Sequence, residues 1–474
     1  MKRKRKKRQK KIVLLTSLFL FITSVILGYN MFKVNILGVY LYAALAIIVI
    51  VDYILIKILN KKIKFFLKVP FILIALFLTG SFVYASYNLD KTGDFFKQIA
   101  ASAGLREETF IIYADKKSQV KELSDLNGTV GVYENGSSLT KKAVKKLKSN
   151  VDIKTVSYDD LDRILDSGLD RKNSAIMISS SLSELLHENY KEKYSNYKKI
   201  GEITVITREK IKKSDVDVTK KPFVIYLSGI DTYGSINEVS RSDVNILAVV
   251  NPVTNKVLLI NTPRDYYVTL GTKGEKDKLT HAGIYGINES IKTLEKLYDT
   301  DIAFYVKVNF TSLIKLVDTV DGIDINSKYS FYYDGCSFRV GENHLNGKEA
   351  LAFSRYRKGL PGGDISRGEN QEEIIRGLIK KITSPSIIKN YSSILKAVSD
   401  GIVTNMDDSD IYKLAKYQIR NKPNWDIESI GVTGRGDYKT TYSAGATELY
   451  VMMPNEEEVA SVKEKINNYL NNSK

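Results

Sequence analysis

A chain of 474 residues is too long for one ordinary domain with tails, so two folded domains and an anchor are expected. Its formal charge of +17 suggests a nucleic-acid binder until it is located: residues 1–68 hold fifteen lysines and arginines against one acid, Asp52, leaving a net +3 for everything after. That distribution excludes a broadly basic soluble surface, and the single cysteine, Cys336, excludes an intrachain disulfide, so the fold must rest on its core and the thiol is expected to be buried and inert.

All of these basic residues but Lys33 lie in segments 1–11 and 57–68, beside apolar runs at about 12–29, 36–56 and 69–87. Each run is near the ~20 residues that cross a ~30 Å hydrocarbon core. Holding both basic segments inside makes residues 1–11 a cytoplasmic tail and residues 12–88 a three-helix anchor in the cell membrane. Everything after about Asn88 is then extracytoplasmic. A cleaved signal peptide would account for the first run only, and there is no small-residue cleavage pattern. Asp52 falls in the second run, which is costly unless it faces a partner helix or sits near the interface; interface placement is expected.

Residues 98–213 are expected to form a small α/β accessory domain, because short apolar runs at 110–113, 129–133 and 175–178 alternate with amphipathic stretches. Asn135-Gly136-Ser137-Ser138 offers an anion a helix start, although a lone glycine turn serves a plain loop equally well. The charged stretch 209–221 reads as a linker. Beyond it, runs rich in Val, Ile and Leu at 223–227, 245–250, 257–260 and 302–308 predict buried strands, with helices over 285–298 and 310–320. A strand carrying 350–356 and a long helix from about Ser366 to Ile382 follow. The pattern is an α/β/α layered domain over 221–400, with residues 401–474 as an extension packing on it and ending in a helix near Leu470.

Five arginines and two aspartates fall at element ends in this domain: Asp231, Arg241, Asp243, Arg264, Arg355, Arg357 and Arg367. Arg241 and Asp243 are two apart at a strand mouth, as are Arg355 and Arg357 on the later strand, so each pair shares a face. Arg367 and Gln371 are four apart on one helix face. The excess of guanidinium calls for a strongly negative guest, and planar forks grip phosphate oxygens in pairs, so a diphosphate fits best. Asp231 and Asp243 offer hard oxygen ligands to Mg²⁺, with Mn²⁺ the alternative. Scarce histidine and cysteine argue against a zinc site or a histidine-based triad, though His281 and His344 remain available. Surface ion pairing is the plain alternative for every one of these arginines.

The segments Leu227-Ser228-Gly229-Ile230-Asp231, Arg241-Ser242-Asp243, Asn251-Pro252, Thr262-Pro263-Arg264-Asp265, Val317 to Gly322, Leu345 to Leu351, Ser354-Arg355-Tyr356-Arg357, Asp364-Ile365-Ser366-Arg367 and Asn370-Gln371 occur in an order that resembles the catalytic domain of the LytR-CpsA-Psr family. With three apolar runs and a preceding domain, the chain is similar in particular to the streptococcal CpsA-type capsule proteins. Two positions differ: Thr232-Tyr233 follows Asp231 where an arginine often stands, and Asp321-Gly322 replaces a Gly-Gly pair. The resemblance implies a phosphotransferase that moves a glycopolymer, a capsular polysaccharide by this likeness, from a polyprenyl diphosphate onto a peptidoglycan hydroxyl.

On that reading Arg241, Arg264, Arg355, Arg357 and Arg367 hold the diphosphate and Mg²⁺ sits on Asp231 and Asp243. Arg264, Arg355, Arg357 and Asp243 carry the catalysis, and Gln371 orients a phosphate oxygen or the attacking hydroxyl. Asp265 is a candidate base, and Leu313, Leu316 and Val317 could line a lipid channel. Partners would be the membrane, the lipid-linked glycan, peptidoglycan and capsule polymerisation or kinase proteins, with no nucleic acid. Three other readings stand beside it: a non-catalytic protein that binds the lipid-linked polymer and regulates capsule assembly, a transcription regulator, and a pyrophosphatase that admits water in place of the acceptor. Eleven residues before a membrane span, nine of them basic, suit phospholipid contact better than DNA reading.

Overall fold

Three long helices precede the first strand: α1 (Lys2–Val34), α2 (Val39–Leu59) and α3 (Val69–Ser102). The computed structural model describes residues 2–34, 39–59, 65–134, 137, 139–384 and 401–471. Each of these helices contains a stretch long and apolar enough to cross a membrane, Lys7–Phe32, Leu41–Ile58 and Phe66–Lys91. Leu20, Leu27, Met31, Ala75 and Phe82 pack between the helices, while Phe19, Leu73 and Phe77 project outward, an arrangement suited to lipid rather than water. Asp52 lines a cavity among the three helices together with Thr16 and Ser17. Asp52 therefore faces a partner helix, one of the two ways to relieve its cost.

Next comes a mixed five-stranded sheet from β1 (Leu105–Asp115), β2 (Gly128–Tyr133), β3 (Ile153–Tyr158), β4 (Ala175–Ser179) and β5 (Tyr197–Arg208), in the order β3-β2-β4-β1-β5. Helices α4 (Thr140–Asn150) and α5 (Leu161–Leu169) bury Leu147, Ile164 and Leu165 against it, and α6 (Ser183–Asn189) follows β4. In the candidate anion turn, Asn135, Gly136 and Ser138 lie outside the described residues. The hydroxyl of Ser137 donates to Glu108 Oε2 at 2.7 Å and accepts from the Leu139 N–H, so it serves the core.

The larger sheet is built from β6 (Phe223–Ile230), β7 (Ser242–Asn251), β8 (Lys256–Asn261), β9 (Phe304–Asn309), β10 (Val403–Thr404) and β11 (Asp426–Gly431), in the order β10-β9-β6-β7-β8-β11. β9 is parallel to β6 and β11 to β8, whereas β7 is antiparallel to both neighbours. The sheet thus runs past residue 400, and the C-terminal residues supply two of its strands as well as covering it. On one face Tyr226, Leu247, Leu258 and Ile260 pack against α7 (Ile287–Tyr298) and the final helix, α8 (Glu456–Asn471). On the other, Ile246, Ala248, Val257 and Leu259 meet Ile375 and Ile379 of a long helix, α9 (Asp364–Ile382). This is the expected α/β/α layering.

Residues 350–356, expected as a strand, belong to a helix, α10 (Gly347–Arg355). The reason is local. Asn346 accepts from the Glu349 N–H at 3.0 Å and Glu349 accepts from the Asn346 N–H at 2.9 Å, a reciprocal cap that starts a helix. Ala350, Leu351 and Phe353 are then buried at helical spacing. Cys336 is buried with no disulfide, as expected.

Glu372 of α9 is buried, and one of its carboxyl oxygens lacks a hydrogen-bond partner. Burial, followed by the nearby Glu369 charge, pushes its carboxyl up to about 8 against the pull of Arg376. The folded chain therefore keeps a proton that the unfolded chain releases near 4.5, and stability falls as pH rises between those values. Glu372→Gln should raise Tm by about 2–4 °C more near pH 8.5 than near pH 5. Equal gains at the two pH values would rule this account out.

Candidate active site

A cavity of about 1450 Å³ lies between the larger sheet and the helices on the α9 side. The eight residues assigned from the sequence to phosphate and metal all line it: Asp231, Arg241, Asp243, Arg264, Arg355, Arg357, Arg367 and Gln371. Asp231 follows the end of β6, and the parallel β9 ends level with it at Asn309. Asp243 owes its position to a bulge, for Gly229 opposes Val244 while Ile230 opposes Ser242, leaving Asp243 as the extra residue. Gly229 permits this approach, since a Cβ there would lie 2.7 Å from the Val244 side chain.

Arg355 and Arg357 reach the cavity by a different route from the strand face expected of them. Arg355 ends α10 and Arg357 lies in the loop beyond it. Arg355 stands 4.6 Å over the Phe310 ring and 3.9 Å from Asp231. Arg367 and Gln371 share a face of α9 as their spacing requires. Gln371 donates to the Ser354 carbonyl at 3.3 Å, tying α9 to α10.

Asp243 accepts from Arg264 Nη1 at 3.0 Å and from the Thr280 hydroxyl at 2.9 Å, both on Oδ1. Burial pushes its carboxyl up, but Arg264, Arg241 and Arg367 outweigh this and hold it well below the usual carboxylate range. Asp231 behaves oppositely: burial, then the charge of Asp243, raise it against Arg355, Arg367 and Arg264. Burial also lowers Arg241 and Arg367. Cations crowded away from water in this way favour a polyanionic guest.

Two carboxylates that repel each other in a phosphate-sized site suit a small divalent cation. Oδ2 of Asp243 carries neither of the two bonds above, and the nearest ion-pair partner of Asp231 is 3.9 Å away. Among the described residues no group of three or more His, Cys, Asp or Glu converges as a metal site. The donor set therefore fits a cation that draws its remaining ligands from water and substrate phosphate, as Mg²⁺ does.

Away from the charges the lining is apolar, with Ile225, Leu227, Val308, Leu313, Leu316, Ile375 and Leu378 among its residues. Leu313 and Leu316 thus border the cavity as proposed, whereas Val317 is fully buried in a neighbouring core. Asp265 does not line the cavity; it pairs with Lys278 at 3.1 Å and Arg264 at 3.7 Å. His281 is buried, with both Asp277 and Ser443 2.7 Å from its Nδ1, and His344 pairs with Asp324 on the surface. Neither reaches the site.

Two contributors were missed. Asp364 lies 2.6 Å from Arg367 and 3.9 Å from Arg357, so it pairs with the first and only approaches the second; its i,i+3 spacing from Arg367 was the available signal. Glu188 of α6 lies 3.6 Å from Arg241 and lines the cavity with His187. No local pattern marks Glu188 or His187, because only the fold brings the smaller sheet's helix to the mouth. That approach is fixed by backbone pairing of Glu107 with Asn237 and Val239, just ahead of Arg241.

The fold and site thus define an α/β/α protein with an arginine-rich anion site opening into an apolar cavity. The sequence profile of the LytR_cpsA_psr family matches residues 189–467, more than half of the chain. The chain belongs to that family. It is 38% identical over 226 residues to the polyisoprenyl-teichoic acid–peptidoglycan teichoic acid transferase TagU of Enterococcus faecalis, covering 47% of this chain and 74% of that protein. To the transferase of the same name from Bacillus subtilis it is 36% identical over 241 residues, covering 49% and 77%. The crystal structure of B. subtilis TagU aligns with 53% of this chain and 98% of its own, at 31% identity and a TM-score of 0.43.

Asp364→Asn should weaken binding of inorganic diphosphate about tenfold by releasing Arg367, with Tm within a few degrees of the parent. Calorimetric titration at constant Mg²⁺ reads this directly, and unchanged affinity would remove Asp364 from the site.

Proposed function

We propose that this protein transfers a glycopolymer from a polyprenyl diphosphate to a hydroxyl of peptidoglycan, leaving a phosphodiester. The observation that carries the reading is the union, in one cavity, of a five-arginine anion site with a long apolar lining, the two chemistries a lipid diphosphate combines. The activity for which the relatives are named, transfer of teichoic acid from a polyisoprenyl carrier to peptidoglycan, supports the reaction class. A capsular polysaccharide is our choice of polymer. The three apolar helices would anchor the chain with its N-terminus inside and both sheets outside, where peptidoglycan lies.

Arg241, Arg264, Arg355, Arg357 and Arg367 bind the diphosphate oxygens, and Asp364 holds Arg367 in place. The acceptor oxygen attacks the glycan-bearing phosphorus, the bond to the polyprenyl phosphate breaks, and the hydroxyl proton passes to solvent. Phosphoryl transfer of this kind relies on positioning and charge neutralisation more than on covalent help. Asp231 and Asp243 would hold Mg²⁺, which supplies charge neutralisation on the departing phosphate when bound. Water admitted in place of the acceptor would give slow diphosphate hydrolysis.

With a labelled lipid-diphosphate glycan and peptidoglycan, the full chain should transfer label only with a divalent cation. Arg264→Ala and Asp243→Ala should each lose about 10²-fold or more. Asp231→Asn should lose a comparable amount, because it removes one of the two carboxylates that would hold the cation. Tight lipid binding without transfer, unaltered by these substitutions, would assign the protein to polymer binding instead.

A further inference from the structure

The cavity has two opposite ends. Asp231 and Asn309 mark the charged one, at the C-terminal ends of the parallel strands β6 and β9. β10 runs antiparallel to β9, with Val403 opposite Lys307 and Thr404 opposite Val306, so the chain leaves it at the other end. The helix that starts there, α11 (Asp408–Asn421), lines the cavity with Ile411, Leu414, Ala415 and Ile419. Its Tyr417 donates to the Pro252 carbonyl, in the turn between β7 and β8, which fixes α11 away from the arginines.

This far end adjoins the third apolar helix. α3 packs beside β10 and α11, and its Leu89 lines the same cavity as the arginines. Leu89 also falls within Phe66–Lys91, the stretch long and apolar enough to span a membrane. Two large side chains of the cavity wall, Ile382 at the end of α9 and Ile419, are 41% and 51% exposed. The Gln418 amide donates to the Thr383 carbonyl at 2.9 Å, which brings these two helix ends together. Exposed aliphatic side chains are unfavourable in water but natural at a lipid entrance.

We propose that this end is a lateral portal through which the isoprenoid tail of a membrane lipid passes from the bilayer into the cavity along α3, never crossing bulk water. The inference rests on the lipid-diphosphate reading above and adds the route and its wall. The occupant is a long isoprenoid: the wall is aliphatic, it is continuous with a membrane span, and the opposite end offers cations for the headgroup. On this geometry the third apolar helix is part of the binding site as well as an anchor, and a soluble fragment lacking it would have lost one wall of the entrance.

The test uses the full chain in vesicles of phosphatidylglycerol and phosphatidylethanolamine containing a polyprenyl monophosphate with a diazirine on its terminal isoprene. Illumination should label both α11 and the part of α3 around Leu89. A charge on the route, Leu89→Asp, should cut α11 labelling from vesicles about tenfold, while the same lipid in detergent still labels α11. Leu89→Met, which keeps the wall apolar, should restore labelling from vesicles and so exclude misfolding as the cause. Labelling of α11 without α3, or the same loss for Leu89→Asp in vesicles and detergent, would overturn the portal. No labelling of the cavity by lipid in either setting would instead overturn the lipid-diphosphate reading on which it rests.

Discussion

Five guanidiniums facing one cavity repel one another, and burial makes that repulsion expensive because little water remains to screen it. The structure meets the cost with a few carboxylates placed so that none fully neutralises the site. Asp243 takes Arg264, Asp364 takes Arg367 and approaches Arg357, and Asp231 stands back at 3.9 Å from Arg355. What remains is a standing excess of positive charge that a polyanion can relieve. Much of the local fold serves this arrangement: the bulge that presents Asp243, the capped helix that ends on Arg355, and the tie from Gln371 to Ser354.

The smaller sheet enters the same charge balance. Its β1 pairs with the loop leading to Arg241, and its α6 brings Glu188 to within 3.6 Å of that arginine. Arg106 of β1 reaches Glu108, Glu209 and the carbonyls of Ile284 and Tyr285, fastening the two sheets through a buried network. Residues 105–208 therefore act on the site by holding one of its cations from the side, without being part of the sheet that carries the others.

The strands of the larger sheet were legible because their Val, Ile and Leu runs are buried on both faces, so continuous hydrophobicity and turn residues sufficed to mark them. The charged residues were legible as a set because they end elements, and because their order matched a known family. Residues 350–356 were misread because Ala350, Leu351 and Phe353 fit a short buried strand as well as a helix; the Asn346–Glu349 cap that decides the matter lies just upstream. Glu188 was invisible for a different reason. Its meeting with Arg241 is a long-range consequence of packing, and such contacts leave no periodicity behind. The same holds for β10 and β11, a two-residue strand and a six-residue strand whose places in the sheet are set by partners far away in sequence.

The position of β11 also has a consequence for how the molecule is made. β8 ends at Asn261, yet the strand that covers its open edge runs from Asp426 to Gly431, after the helices that wall the cavity. A nascent chain must hold that edge unpaired while well over a hundred further residues are synthesised, and non-local pairing of this kind is slow and exposed to aggregation. That edge is covered only once residue 431 has been made. A truncated or stalled product would thus present an open hydrophobic edge instead of a partly working enzyme, a state that surveillance proteases can recognise before any defective copy reaches its substrate.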